Sequence, residues 1–168
     1  FSMALILFFV NVLNYGFNLT TVREIAQSSK DKYTLQRIFN EVFTVKLVLF
    51  FLLVISFLLL TYLMPSFYRY KTLYLFCSLL LFSEFFSLRW FFMGIQKMQF
   101  IASIHFIGTL LFVFGAYLFI VEPQDFINIP LFEGIGMLFT SLVSFVWVVR
   151  KYSFKIRFLG FRFVFKYL

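Results

Sequence analysis

The chain has 168 residues, of which 62% are hydrophobic and thirty are Phe, and its formal net charge is +8. Its mean hydropathy of +0.96 is far above that of soluble domains, in which roughly half of the residues are apolar. A soluble fold of this length would expose large apolar patches, so the composition excludes an ordinary soluble domain. The basic residues flank apolar runs, which favours membrane topology and anionic lipid headgroups over nucleic acid as the reason for the charge.

Five apolar runs follow one another, and the last four are each long enough to cross a hydrocarbon core of roughly 30 Å as a helix. Helices are predicted because lipid offers the backbone no hydrogen-bond partners and because the runs do not alternate between polar and apolar residues. We therefore predict an all-α, polytopic transmembrane helix bundle that forms one membrane domain over residues 1–168. The runs are Phe1–Phe17, Glu41–Met64, Thr72–Met93, Phe100–Val121 and Ile127–Val149.

The basic residues lie mainly on one side of this alternation. If every run crosses the membrane, eleven of the fifteen Lys and Arg residues lie after the first run, after the third run or in the tail, and Arg89, just inside the end of the third run, joins them on that side. Two lie on the other side, and Lys46 lies within the second run. By the positive-inside rule these loops and the C-terminal tail are predicted to be cytoplasmic, so the first run begins outside.

The helix of the second run is predicted to begin before the run itself. Leu35, Ile38, Phe39 and Val42 recur at helical spacing. We expect this helix to start near Asp31, with residues 28–31 as a cap.

Glu84 is the deepest ionisable residue, close to the middle of the third run. Ser83 and Ser87 lie beside it, and Arg89 follows five residues later, about 7.5 Å along the helix axis. Intramembrane ionisable residues usually face protein or water. We interpret Glu84 and Arg89 as the lining of a polar cavity in which Arg89 grips an anionic group. In the alternative, Glu84 is protonated or hydrogen-bonded to another helix, and Arg89 snorkels to headgroups.

A second group of polar residues lies in and after the first run. Asn11, Asn14 and Asn18 share one helix face, which suits either helix packing or the wall of a wet cavity. Arg23 and Glu24 follow where this helix is expected to reach the cytoplasm, and a solvated ion pair is the simplest interpretation of them.

Three further polar residues have plain structural explanations. Lys46 lies in the first turns of its run, and snorkelling to the interface explains it most simply. For His105, the only histidine, we favour a hydrogen-bonded packing role. Glu133 marks either a flexible part of its helix or an interface residue. The sequence has one His and one Cys, Cys77, and therefore no metal-site pattern. It also has no phosphate-binding loop. We therefore expect no cofactor, and we expect that the protein is not an enzyme.

Two stretches, Tyr15–Ala26 (YGFNLTTVREIA) and Arg89–Phe100 (RWFFMGIQKMQF), together with the start of the second run around Lys46, resemble a known family. They are similar to the "GFNLSATREIA"-like and "WFFQGLEKM"-like patterns of O-antigen and capsule repeat-unit flippases, in the multidrug/oligosaccharidyl-lipid/polysaccharide exporter superfamily. Met93 replaces the Gln of the second pattern, and Gln96 replaces its Glu. The resemblance implies helices two to six, part of one lobe of a two-bundle transporter, so we expect a piece of a longer protein.

The resemblance implies translocation of an undecaprenyl-diphosphate-linked oligosaccharide across the bacterial cytoplasmic membrane during surface polysaccharide biosynthesis. It also implies membrane lipids and polysaccharide polymerase machinery as partners. A diphosphate-sugar headgroup cannot cross hydrocarbon unaided, so a polar cavity must replace its water. The expected substrate-binding residues are the cations Arg23, Lys46 and Arg89 and the polar residues Asn14, Asn18, Ser83 and Glu84.

Three other functions are compatible with the sequence. A drug or cation antiporter of the same superfamily would use a deep titratable acid such as Glu84. A membrane-embedded sugar or acyl transferase would need its catalytic acid or base among Glu84, Glu122, Asp125 and His105. A nonfunctional or purely structural fragment is the third alternative.

Overall fold

The computed structural model describes residues 2–14, 20–28, 31–63 and 71–155. These residues form helices and contain no strand, and four of the helical segments are long and apolar enough to cross a membrane. The prediction of an all-α transmembrane helix bundle is therefore confirmed. The elements are α1 (Ser2–Leu13), α2 (Val22–Gln27), α3 (Lys32–Leu63), α4 (Lys71–Phe86), α5 (Arg89–Gly94), α6 (Met98–Phe119), a 3-10 helix (Pro123–Asn128) and α7 (Ile129–Tyr152).

The segments that could span a membrane, judged by length and composition, are Lys32–Leu63, Lys71–Gly94, Met98–Phe119 and Asp125–Tyr152. The described part of the first apolar run is the 12-residue helix α1, which is apolar but shorter than a full span. Where each segment enters and leaves the bilayer stays a prediction.

Helix α3 begins at Lys32, and Asp31 caps its first turn, as predicted. The Asp31 Oδ1 atom accepts a hydrogen bond of 3.0 Å from the backbone N–H of Tyr33, and its Oδ2 atom accepts one from the Thr34 hydroxyl. The Thr34 hydroxyl contributes most to lowering the pKa of Asp31, because these bonds favour the charged carboxylate.

The third apolar run is not one continuous helix, contrary to the prediction. Helix α4 ends at Phe86 and helix α5 begins at Arg89, with Ser87 and Leu88 outside helical structure. A break at this depth leaves backbone carbonyls without helical partners, which is tolerated in a membrane only where other protein groups bind them. Here the buried side chain of Lys46 fills that role, as described below.

Helix α7 packs against both α4 and α6, and α4 packs in addition against α1 and α3. Glycines allow these close approaches. A Cβ atom added to Gly136 would lie 2.7 Å from the carbonyl oxygen of Gly108 in α6, and one added to Gly134 would lie 2.6 Å from the Cβ of Leu79 in α4. Small residues at such crossings let helix backbones pack closely in lipid.

The chain after α7 turns back onto the bundle. Ser153 has the left-handed φ of 52° that ends the helix, and the ring of Phe154 packs 5.1 Å from the ring of Phe39 in α3. The side-chain amide of Asn40 donates a hydrogen bond of 3.1 Å to the carbonyl of Lys155. These contacts fix the end of α7 beside the first turns of α3.

Candidate functional site

A cavity of about 330 Å³ lies between α1, α4, α5, α6 and α7, and each of α1, α4, α5, α6 and α7 contributes at least one polar side chain to its lining. Helix α1 contributes Asn11, α4 contributes Ser83, α6 contributes His105 and α7 contributes Thr140, while Arg89 enters from the start of α5. In a bundle whose outer surface is apolar, such a group of polar side chains marks a candidate functional site.

The carboxylate of Glu84 is buried on the cavity wall and has a partner for each oxygen. The side-chain amide of Asn14 donates to Oε1 at 2.9 Å, and the guanidinium of Arg89 donates to Oε2 at 2.6 Å. Both interpretations of Glu84 thus hold in part, because it lines the cavity and also bonds to a neighbouring helix. Arg89 pairs with this carboxylate rather than snorkelling away from it, and its side chain is 46% exposed. That either residue binds a substrate stays a prediction.

Lys46 is buried and does not reach the interface, so the snorkelling interpretation is wrong. Its side chain is 2% exposed, and Nζ donates to the backbone carbonyls of Glu84 at 2.8 Å and Ser87 at 3.2 Å. The break between α4 and α5 places these acceptors inside the bundle, where they bind the ammonium group. Lys46 therefore holds the backbone of the site and is not among the residues that line the cavity.

Of the expected substrate-binding residues that the structure describes, Arg23, Lys46 and Asn14 are not among those that line the cavity, although Asn14 donates to Glu84. Arg23 is exposed on α2 and lies apart from the cavity lining. The reason is local packing, since Ile25, on the opposite face of α2, is held against Gly94, where an added Cβ atom would lie 2.5 Å from it. Asn18 lies outside the described residues. Ser83 is buried and lines the cavity, as expected.

Several cavity residues on α6 and α7 were not predicted from the sequence. Thr140, Ser141 and Ser144 line the cavity. Their hydroxyl groups interrupt the fifth apolar run, and this interruption is the sequence signal from which a polar wall on α7 could have been predicted. Glu133 also lines the cavity, so neither interpretation of this residue identified its position. His105 lines the cavity with an exposed side chain instead of packing in the core, contrary to the prediction.

The chemistry of the wall is that of a polar binding site. It combines one guanidinium, two carboxylates and an imidazole with amide and hydroxyl groups. Arg89 has five N–H donors, and its contacts with Glu84 and Ser87 use two of them, which leaves donors suited to phosphate oxygens. Within the described ranges, no group of three or more His, Cys, Asp or Glu side chains could hold a metal ion.

Comparison with known protein families gives a match over residues 1–168 to the family described as "Polysaccharide biosynthesis protein". The chain belongs to this family. A Shigella dysenteriae protein named "Putative O-antigen transporter" is 26% identical over 140 residues, which is 83% of this chain and 35% of that relative. The chain therefore spans about a third of that relative's length. No solved structure matches the chain. The resemblance to polysaccharide flippases is thereby confirmed at the level of the family.

In this member of the family, the second motif stretch forms α5 and the turn into α6. Trp90, Phe91 and Phe92 are buried in an aromatic cluster, and Gln96 adopts a left-handed φ of 57° in the turn. The aromatic part of the motif is thus packing, whereas Arg89, at its first position, enters the cavity.

Proposed function

We propose that this protein, in its full-length form, flips an undecaprenyl-diphosphate-linked oligosaccharide across the bacterial cytoplasmic membrane for O-antigen or capsule assembly. Family membership supports a role in polysaccharide biosynthesis, and the name of the Shigella relative supports export rather than catalysis. The observation that carries the proposal is the polar cavity inside an apolar bundle, with Arg89 on its wall paired to the buried Glu84.

The cavity suits the chemistry of this headgroup. Arg89 offers a planar set of donors to the diphosphate, with the spare N–H groups described above as the first points of contact. The amide of Asn11 and the hydroxyls of Ser83, Ser141 and Ser144 offer hydrogen bonds to sugar hydroxyls. The polyprenyl tail stays in hydrocarbon while the polar wall replaces the water of the headgroup. Rocking of this bundle against a second bundle in the full-length protein would open the cavity to each side in turn.

The proposal includes an orientation in which the basic loops and the tail face the cytoplasm. Packing of Phe154 on Phe39 supports it, because this contact brings Lys155 to the same end of the bundle as the start of α3. Reporter fusions after Lys32 and Lys155 in the full-length protein should report the same, cytoplasmic face. Fusions that report opposite faces would contradict this orientation.

Substitution of Arg89 in the full-length protein tests the function. Arg89→Ala should abolish surface polysaccharide, and Arg89→Lys should reduce it because an ammonium cannot form the bidentate contact. Lys32→Ala is the matched control, since Lys32 is an exposed cation away from the cavity. Normal surface polysaccharide from Arg89→Ala at normal protein level would contradict the proposal.

A second candidate function is the drug or cation antiporter, and one observation favours it. Glu84 and Glu133 line the same cavity, so carboxylates outnumber the guanidinium on its wall. If antiport is the function, the full-length protein drives pH-dependent efflux of a cationic dye from membrane vesicles, and Glu133→Gln slows it. Vesicles that show no such efflux, but whose protein supports surface polysaccharide in cells, decide for the flippase.

A further inference from the structure

Three cations gather at the open end of the antiparallel pair α6 and α7. Lys97 immediately precedes α6, and Arg150 and Lys151 lie in the last turn of α7. All three residues are exposed. Lys97 and Lys151 lie at the same end of the pair, because Phe100, three residues after Lys97, packs on the ring of Trp147, over which the Lys151 ammonium lies. In the described parts of the chain, no acid forms an ion pair with any of them.

This arrangement of like charges is unfavourable without an anion. Arg150 and Lys151 suit the negative end of the α7 helix dipole, but Lys97 lies at the positive end of α6, where a cation is disfavoured. Lys97 and Lys151 also repel one another. A bound anion between them would remove both costs.

An apolar groove on α7 leads directly to these cations. Phe139, Leu142, Val143 and Val146 line it, and it ends at Trp147 with the cations of α7 beyond. The first and last of the four apolar residues are seven positions apart, so the groove extends about 10 Å along the helix. Its apolar lining is chemically suited to contact with an acyl chain.

Trp147 joins the groove to the charged end. The Nζ atom of Lys151 lies 4.3 Å from the centre of the Trp147 ring, and that ring packs 4.6 Å from the ring of Phe100. Tryptophan with a neighbouring cation is typical of the level at which lipid headgroups meet hydrocarbon.

We propose that this end of α6 and α7 binds an anionic phospholipid, with its phosphate among Lys97, Arg150 and Lys151 and an acyl chain along the groove. Charge complementarity selects this occupant, because the three cations lie at one end of the helix pair and Arg150 and Lys151 border the apolar surface that continues along α7. The site is separate from the polar cavity. The groove and the cavity share no lining residue, although Val143 and Trp147 lie on α7 within one turn of the cavity residues Thr140 and Ser144.

Native mass spectrometry of the full-length protein in uncharged detergent tests the site. The probes are phosphatidylglycerol and phosphatidylcholine with identical acyl chains, and glycerol 3-phosphate as the anion without chains. Phosphatidylglycerol should bind most tightly. The combined Lys97→Gln, Arg150→Gln and Lys151→Gln variant should weaken its binding by about fivefold for each charge removed, since each contributes about 1 kcal/mol near an anionic headgroup. Its binding of phosphatidylcholine should not change.

Two further variants separate the charge from the groove. Lys32→Gln removes an exposed cation outside the cluster and should leave phosphatidylglycerol binding unchanged. Val143→Trp fills the groove without changing charge and should weaken both lipids equally. Equal affinity for the two lipids in the unsubstituted protein would overturn the proposal. Unchanged phosphatidylglycerol binding in the triple variant, or glycerol 3-phosphate binding as tightly as the lipid, would overturn it as well. These variants leave Arg89 and Glu84 intact, so loss of this site is distinguishable from loss of flipping.

Discussion

The ammonium group of Lys46 donates a hydrogen bond of 2.8 Å to the backbone carbonyl of Glu84, whose own carboxylate meets Arg89 on the cavity wall. Glu84 thus contacts two cations: the buried Lys46 binds its backbone carbonyl, and the half-exposed Arg89 binds its carboxylate. Lys46 also lies at the carbonyl end of α4, where a positive charge is favoured by the helix dipole. The break after α4 and the position of the Glu84 carboxylate therefore depend on the same contact.

Replacing Lys46 with Met should destabilise the protein. The change keeps an unbranched side chain one atom shorter but leaves two buried carbonyls without their charged donor, and such hydrogen bonds contribute about 1.5–3 kcal/mol. The free energy of unfolding in mixed detergent micelles should fall by that amount. Lys32→Met, at an exposed position of the same helix, should cause little change. Equal stability of the Lys46→Met and unsubstituted proteins would show that the ammonium does not stabilise the break.

The ion pair between Glu84 and Arg89 should give a modest coupling energy. Since the Arg89 side chain is 46% exposed, solvent screens the attraction, and we expect roughly 0.5–1 kcal/mol from a double-mutant cycle of Glu84→Gln and Arg89→Gln. The same unfolding measurement on the four proteins gives this value. Strictly additive effects would mean that the two side chains do not interact in the folded protein.

Gly136→Ala should lower the unfolding free energy by about 1–3 kcal/mol, although alanine is ordinarily the better helix former. The added Cβ atom would lie 2.7 Å from the carbonyl oxygen of Gly108, so α6 and α7 would have to separate. Ser103→Ala introduces the same residue at an exposed position of α6 and serves as the control. A Gly136→Ala protein more stable than the unsubstituted one would contradict the close crossing.

Asp31 should make stability depend on pH at the acid end. Its pKa is lowered, chiefly by the Thr34 hydroxyl, so its contribution is present above the ordinary Asp pKa and is lost as pH falls through the lowered value. Asn is an equally good cap but does not titrate. The difference in melting temperature between the unsubstituted and Asp31→Asn proteins should therefore shift in favour of the Asp31→Asn protein as the pH falls below about 4. A difference that is constant over this range would count against the cap.

Much of the fold follows from the pattern of apolar and polar residues. The helical class, the early start of α3 at its Asp31 cap and the family were all accessible from the sequence. The break after α4 was not, because Ser87 and Leu88 are ordinary residues within an apolar run and only the tertiary contact from Lys46 explains it. Local pattern cannot show a hydrogen bond between residues about forty positions apart.

The candidate site was also predictable only in part from the sequence. Glu84 and Arg89 were identifiable because charge deep in an apolar run is costly without a partner. The position of Lys46 was misjudged, since a lysine near a helix end usually reaches the interface and its buried acceptors lie on another helix. Arg23 was placed at the site by resemblance, yet the packing of Ile25 turns it outward.

The most direct test of the central claim, that the cavity carries the diphosphate-sugar headgroup, is a flipping assay on the full-length protein in proteoliposomes. A polyprenyl-diphosphate oligosaccharide is placed in one leaflet, and its arrival in the other is measured by enzymatic labelling. The unsubstituted and Lys32→Ala proteins should move it at equal rates, and Arg89→Ala should slow it at least about tenfold, because a charge-assisted contact to phosphate is lost. Movement by Arg89→Ala at the unsubstituted rate, or no movement by any of the three, would contradict the claim.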